Sequence, residues 1–173
     1  MVRLTAELIQ DCPQFMNAIK EYELCLRACK IPMIENLGAT LNQFGCIDLS
    51  DNDLKKLENI PLLNHLEVLL LNNNRIKRIS EEVLINLPNL QMLILTNNNI
   101  ENLNEIDKLA SLKKLWCLSF LRNPVAMKKT YRLYIIYKLP QVRVLDFRRI
   151  RLRERILAKE TFQTLPDHTM DDA

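Results

Sequence analysis

Residues 66–79 read LEVLLLNNNRIKRI, and residues 90–103 read LQMLILTNNNIENL. Each segment runs apolar, two variable, apolar, variable, apolar, two variable, Asn, variable, apolar. The alternation at Leu69 and Leu71, and at Leu93 and Leu95, has the period of a strand with one face turned to a core. Asn74 and Asn98 then end the strand, and the next apolar residue starts a return segment. A unit this short cannot bury its own apolar face. It has to stack on copies of itself.

Five such units can be aligned on the apolar pair of the strand: Leu24-x-Leu26 with Ile31, Ile47-x-Leu49 with Leu54, Leu69-x-Leu71 with Ile76, Leu93-x-Leu95 with Ile100, and Leu118-x-Phe120 with Val125. The steps of 23, 22, 24 and 25 residues fall within the range of leucine-rich repeats. The Asn slot holds Asn52, Asn74, Asn98 and Asn123, with Cys29 in the first unit. An inward amide at that slot can bond backbone groups left unpaired by the turn, in its own repeat and in its neighbour. The expected fold is a right-handed α/β leucine-rich-repeat solenoid, a horseshoe with short parallel concave strands, a helical or irregular convex side, and caps at both ends. Residues 80–87 and 106–115 read as short convex helices.

Flanking segments supply the expected caps. Residues 1–20 carry Leu8, Ile9, Phe15, Met16 and Ile19 at mostly helical spacing, with Pro13 suited to a helix start. Residues 130–138 read as a helix stopped by Pro140, and residues 142–147 as a last strand. Residues 148–162 read as a charged helix with an apolar line through Leu152, Ile156 and Phe162. The organisation is then one domain over 1–165, with caps at 1–20 and 127–165 around repeats at 21–126, and a polar, disordered tail over 166–173.

Composition is that of a soluble globular chain, with no apolar run near the ~18 residues of a membrane span and no signal-peptide pattern. The cytosol or nucleus is expected, where the five cysteines are free thiols. Residues 120–160 hold twelve Lys/Arg against three Asp/Glu, a net +9, while the rest of the chain carries a net −6. That asymmetry suggests two surfaces with different partners. Catalysis is not expected. His65 and His168 are the only histidines, no Gly-rich phosphate loop exists, and no cofactor, metal or small-molecule substrate is implied.

Function must lie in the positions the repeat leaves variable. Residues alternating with the strand leucines face out of the concave sheet. They are Glu23, Cys25 and Arg27; Cys46, Asp48 and Ser50, with Asp51 at the edge; Val68, Leu70 and Asn72 beside Glu67; Met92, Ile94 and Thr96; and Cys117, Ser119 and Leu121, near Trp116, with Arg122 at the edge. Val68, Leu70, Met92, Ile94 and Cys117 form an apolar patch with acid at one end. That surface fits a partner helix with an apolar stripe and basic flanks. Basic residues gather at the other end (Lys128, Lys129, Arg132, Arg148, Arg149, Arg151, Arg153 and Arg155), where phosphates could be neutralised. With no RNA-binding aromatic box, contact with a duplex backbone is the expectation, not base readout.

MVRLTAELI at the N-terminus, KIPMIENLGATLNQF after the first strand and LRNPVAMKKTYRLYIIYKLPQVRVLDF near the end resemble the A-prime family of the spliceosomal U-two small nuclear ribonucleoprotein, over about residues 1–160. The resemblance implies a nuclear chain with no membrane association. Its partner would be an RNA-recognition-motif protein of the B-double-prime type, which reads a small nuclear RNA stem-loop. It implies a helix groove of Asp48, Ser50, Asp51, Val68, Leu70, Met92, Ile94, Trp116 and Arg122, with phosphate contacts from Arg27, Lys30, Arg149 and Arg151. Cys25 stands where that family tends to have an acid, and Met92 where a carboxylate would be able to pair with a basic partner. Trp116–Cys117 displaces an aromatic by one residue. An alternative is a regulatory or cytoskeletal repeat scaffold, of phosphatase-regulator or axonemal type, that binds a helix without RNA.

Overall fold

The computed structural model describes residues 2–163. Its principal sheet has eight strands: β1 (Gln14–Met16), β2 (Tyr22–Cys25), β3 (Cys46–Asp48), β5 (Val68–Leu70), β7 (Met92–Ile94), β8 (Cys117–Ser119), β9 (Val144–Leu145) and β10 (Arg148–Arg149). A smaller parallel pair, β4 (Lys56–Leu57) and β6 (Arg78–Ile79), lies on the return side. The convex side also carries α2 (Glu81–Ile85) and α3 (Asn104–Asp107), the latter running into a 3-10 turn at Lys108–Ser111.

From β2 to β9 every pairing in the principal sheet is parallel and unshifted, so the sequence alignment is also the spatial register. Leu24, Ile47, Leu69, Leu93, Leu118 and Leu145 form one inward row, each fully or almost fully buried. Burying a leucine side chain contributes roughly 2 kcal/mol, and repetition of that row makes one core along the solenoid.

The Asn slots tie the stack together. Asn52 Oδ1 accepts the Ile31 amide at 2.9 Å, while its Nδ2 donates to the carbonyls of Leu26 and Leu49, both at 2.9 Å. Asn74, Asn98 and Asn123 repeat that pattern one unit further along each time. Each amide therefore satisfies backbone groups of its own repeat and of the one before. Cys29 fills the first slot with its thiol 3.5 Å from the Arg27 carbonyl. It has no preceding repeat to hold.

Both ends differ from the helical expectation. On the N-terminal side, α1 (Ala6–Asp11) is capped by Thr5 and stops at Cys12. Pro13 begins no helix: the chain enters β1, which runs antiparallel along β2. Phe15, Met16 and Ile19 are exposed instead of buried, because strand pairing, not a helical apolar face, holds this segment. On the C-terminal side, α4 (Tyr131–Lys138) follows the reading, but the last parallel strand covers only Val144–Leu145. Asp146 and Phe147 both take positive φ (52° and 60°), which closes a two-residue hairpin of the type that matches strand twist. Arg148 and Arg149 return as antiparallel β10. The terminal helix α5 starts only at Leu152 and runs to Phe162. Its buried face is Ala158 and Phe162, with Phe162 against Tyr134 and Tyr137, whereas Leu152 and Ile156 face solvent. The expected tail over 166–173 lies outside the described residues, as does His168.

Candidate functional site

Strand register writes the concave face as rows. The first runs Glu23, Cys46, Val68, Met92, Cys117, Val144; the second runs Cys25, Asp48, Leu70, Ile94, Ser119. A third continues past the strand ends through Arg27, Ser50, Asn72, Thr96 and Leu121. The sheet therefore brings together Glu23, Cys25, Asp48, Ser50, Val68, Leu70, Met92, Ile94 and Cys117. The apolar patch is narrower than expected, however. Val68, Ile94 and Cys117 are buried among their row neighbours, and only Leu70 and Met92 remain partly open. Curvature crowds outward side chains on a concave surface, which the alternation of residues does not reveal.

Polar groups are distributed unevenly along these rows. Near β8 they satisfy one another: Thr96 Oγ1 lies 3.1 Å from Ser119 Oγ, and Ser119 donates to Asp146. Asp146 in turn accepts the Phe120 amide and the Tyr131 hydroxyl. Near β3 and β5 they do not. Asp48 accepts the Ser50 amide at 2.8 Å, but Ser50 Oγ and Asn72 Oδ1 are buried without a hydrogen-bond partner. Such orphans cost roughly 1–3 kcal/mol each. They stand side by side in the third row.

Along the edge, residues immediately before the Asn slot adopt the left-handed conformation: Ala28, Asp51, Asn73, Asn97 and Arg122. Asn and Asp tolerate this best. Their side chains make a ladder in which Arg27 Nε and Asn73 Nδ2 each donate to Asp51 at 2.6 Å, and Asn97 donates to Asn73 at 2.9 Å. The Asn73 hydrogen bond, then the Arg27 guanidinium, holds the Asp51 carboxyl below the usual carboxylate range. Asn73 and Asn97 were not among the expected site residues, although the NNN triplets carried the signal.

A leucine-rich-repeat family profile matches residues 1–171. The chain is 58% identical over 163 residues to the human U2 small nuclear ribonucleoprotein A', covering 94% of this chain and 64% of the relative. Against the Schizosaccharomyces pombe protein of the same name it is 42% identical over 168 residues, covering 97% and 70%. The solved Drosophila melanogaster SNF/U2A' complex matches with a TM-score of 0.92 at 54% identity, covering 95% of this chain and 94% of that one. The chain belongs to the U2 small nuclear ribonucleoprotein A' family of leucine-rich-repeat proteins. It spans about two thirds of the length of the human relative.

The expected phosphate contacts are not one cluster. Arg27 and Lys30 sit on the first repeat, and Arg27 is paired with Asp51. Arg149 and Arg151 lie at the opposite end, six strand steps away, or roughly 30 Å at ~4.8 Å per step. There they line a cavity of about 410 Å³ with Arg132, Arg148 and Arg153. Arg132 is neutralised within it by Glu154, at 2.7 Å. Lys128 and Lys129 do not line it, and Arg155 turns the other way, to the carbonyls of Pro140 and Val142. Trp116 sits at the sheet margin, 36% exposed, and Arg122 is exposed at the edge.

The thiols are free, and Cys12 Sγ lies 3.9 Å from Cys29 Sγ. Burial, then the neighbouring Cys29, pushes the Cys12 thiol up to about 11. Burial likewise raises Cys46 and Cys117. These thiols stay protonated and weakly nucleophilic at neutral pH. Among the described residues no cluster of His, Cys, Asp and Glu could hold a metal ion, and no helix is long and apolar enough to cross a membrane.

Proposed function

We propose that this chain is a non-catalytic subunit of the U2 small nuclear ribonucleoprotein. Its concave rows clamp a helix of an RNA-recognition-motif partner of the B-double-prime type. The pair then holds a small nuclear RNA stem-loop in nuclear pre-mRNA splicing. Residues 1–165 are a single leucine-rich-repeat domain in this reading. The observation that carries it is the 54% identical chain solved as a complex with SNF, which covers almost all of this one.

Local chemistry supports a helix. Leu70 and Met92 form the open apolar strip, flanked by Asp48 and Glu67 on the acidic side. Rotation of Ser50 and Asn72 towards an incoming donor would satisfy both orphaned atoms. Cys25 and Met92, both uncharged, shift the contact towards apolar burial. Arg27 and Lys30 at one end, and Arg149 and Arg151 at the other, offer phosphate contacts beyond the groove. Whatever affinity the chain adds to the partner–RNA step, RNA adds equally to chain–partner binding.

Recovery of the tagged chain from nuclear extract, with and without ribonuclease, tests this. An RNA-recognition-motif protein should persist in both samples, with a U-rich small nuclear RNA only in the untreated one. Recovery of neither overturns the reading and favours a scaffold that works without RNA.

A further inference from the structure

On the far side of the groove from the Asn ladder, the margin between the fifth repeat and the C-terminal cap holds a second cavity of about 520 Å³. Lys113, Lys114, Trp116, Gln141, Arg143 and Arg155 line it. These residues are scattered over forty positions in sequence, so no local motif announces them. The volume lies inside the roughly 300–1,000 Å³ range of ligand-sized sites.

Its frame is fixed. The Trp116 amide donates to Gln91 O at 2.9 Å, and its carbonyl accepts from Arg143 and Val144 at 2.8 and 3.0 Å. Gln141 donates to the carbonyls of Leu109 and Leu112, and Arg155 to those of Pro140 and Val142. The cations are not neutralised. Lys113 bonds the Ala110 carbonyl and Lys114 the Asn89 amide oxygen. No carboxylate pairs with Lys113, Lys114, Arg143 or Arg155 among the described residues. Glu67 accepts the Gln91 amide at 2.7 Å and does not line the cavity. The result is a half-open indole beside four cations that have no carboxylate partner among the described residues.

We propose that this cleft binds single-stranded nucleic acid, with a base stacked on Trp116 and the flanking phosphates on Lys113, Lys114 and Arg143. An unpaired strand presents both the π-face and the regularly spaced anions that this pairing of groups fits. A duplex hides its base faces, and an acidic peptide has none. Recognition of this kind is tolerant of sequence, because every base has a stacking face. Trp116, which the resemblance puts in the helix groove, sits at its margin, so the cleft lies beside the open strip of Leu70 and Met92 and apart from the Arg149/Arg151 end.

Trp116 is the only tryptophan, so its fluorescence reports directly. The isolated chain is titrated with a single-stranded oligouridylate, a duplex RNA of equal length, inorganic polyphosphate and a polyglutamate peptide. The oligouridylate should quench the emission, less at higher salt. Polyphosphate should displace it with little quenching of its own, and the duplex and peptide should do neither at the same concentration. Lys113→Glu with Lys114→Glu should weaken the oligouridylate by about tenfold or more, and Trp116→Leu by at least about fivefold, the Trp116 variants being followed by the anisotropy of an end-labelled oligouridylate because the reporting indole is gone. Trp116→Phe should retain binding, which guards against a folding defect in the leucine variant. Absence of quenching at saturating oligouridylate, equal quenching by the peptide, or unchanged affinity of a folded Trp116→Leu variant overturns the proposal. Leu70→Asp should leave the quenching intact, so this site and the helix groove fail separately.

Discussion

Two rows of the same strands, one residue apart, behave in opposite ways. The inner row from Leu24 to Leu118 is leucine or isoleucine at every step and fully or almost fully buried. The outer row beside it runs Glu23, Cys46, Val68, Met92, Cys117, with no residue type used throughout. Each inner residue faces the equivalent residue of the next repeat, so the requirement is the same at every step. Each outer residue faces the concave space, where nothing in the fold dictates its chemistry. Uniformity marks the scaffold, and variation marks the surface that selects partners.

The largest expected effects lie on the inner side. Leu69→Ala should cost about 3–4 kcal/mol in urea unfolding, since stacked repeats on both sides restrict collapse around the lost volume. Asn98→Ala should cost about 2–3 kcal/mol, because it strands the Ile76 amide and the carbonyls of Leu71 and Leu95. If either changed stability by under 1 kcal/mol, the inner row would not be the part that holds the solenoid together.

On the outer side the readout should move from folding to binding. Leu70→Asp should leave the unfolding midpoint nearly unchanged, because its half-open side chain can keep a carboxylate hydrated. Partner affinity should fall about 100-fold, the loss expected when an apolar anchor becomes a charge. Calorimetric titration with the partner's RNA-recognition domain checks it. Retained affinity would remove the distinction between the rows.

Effects at the basic end should be smaller and confined to one step. Arg149→Glu with Arg151→Glu should weaken only RNA capture by the chain–partner pair, by about tenfold at low salt, with the difference shrinking as salt rises. The chain–partner step alone should not change. A loss of partner binding in this variant would mean that the basic cavity belongs to the protein interface.

Sequence made the inner half of this comparison readable because its constraint is periodic. The leucine pair and the Asn slot recur every 22–25 residues, and the strand register follows them without a slip. The concave face could be assigned residue by residue for the same reason. What escaped was set by curvature and by contacts between distant segments. Val68 and Ile94 are placed as expected, yet the bend of the sheet buries them. Residues 13–19 have helical spacing, but an open strand edge at β2 recruits Gln14–Met16 as a strand. Asp146 and Phe147 turn the chain before Arg148, so the final helix starts late and shows Leu152 and Ile156 to solvent. Trp116 meets Arg143 and Arg155 only because the cap folds back over the fifth repeat.

The smallest expected effect tests the edge between the two rows. Asp51 is ionised and hydrogen-bonded by Asn73 and Arg27, so its carboxyl titrates lower in the folded chain than in the unfolded one. The stabilisation it adds is therefore complete above the unfolded value near 3.9, and is lost as pH falls through the lower folded value. Asp51→Asn keeps a side chain that tolerates the left-handed backbone but removes the titrating group. Its urea midpoint should lie slightly below the parent's at pH 6, and the gap should close on acidification below the folded value. A gap that stayed constant from pH 6 into acid would show that the ladder is held by the neutral hydrogen bonds alone and that the Arg27 charge adds nothing to the rim.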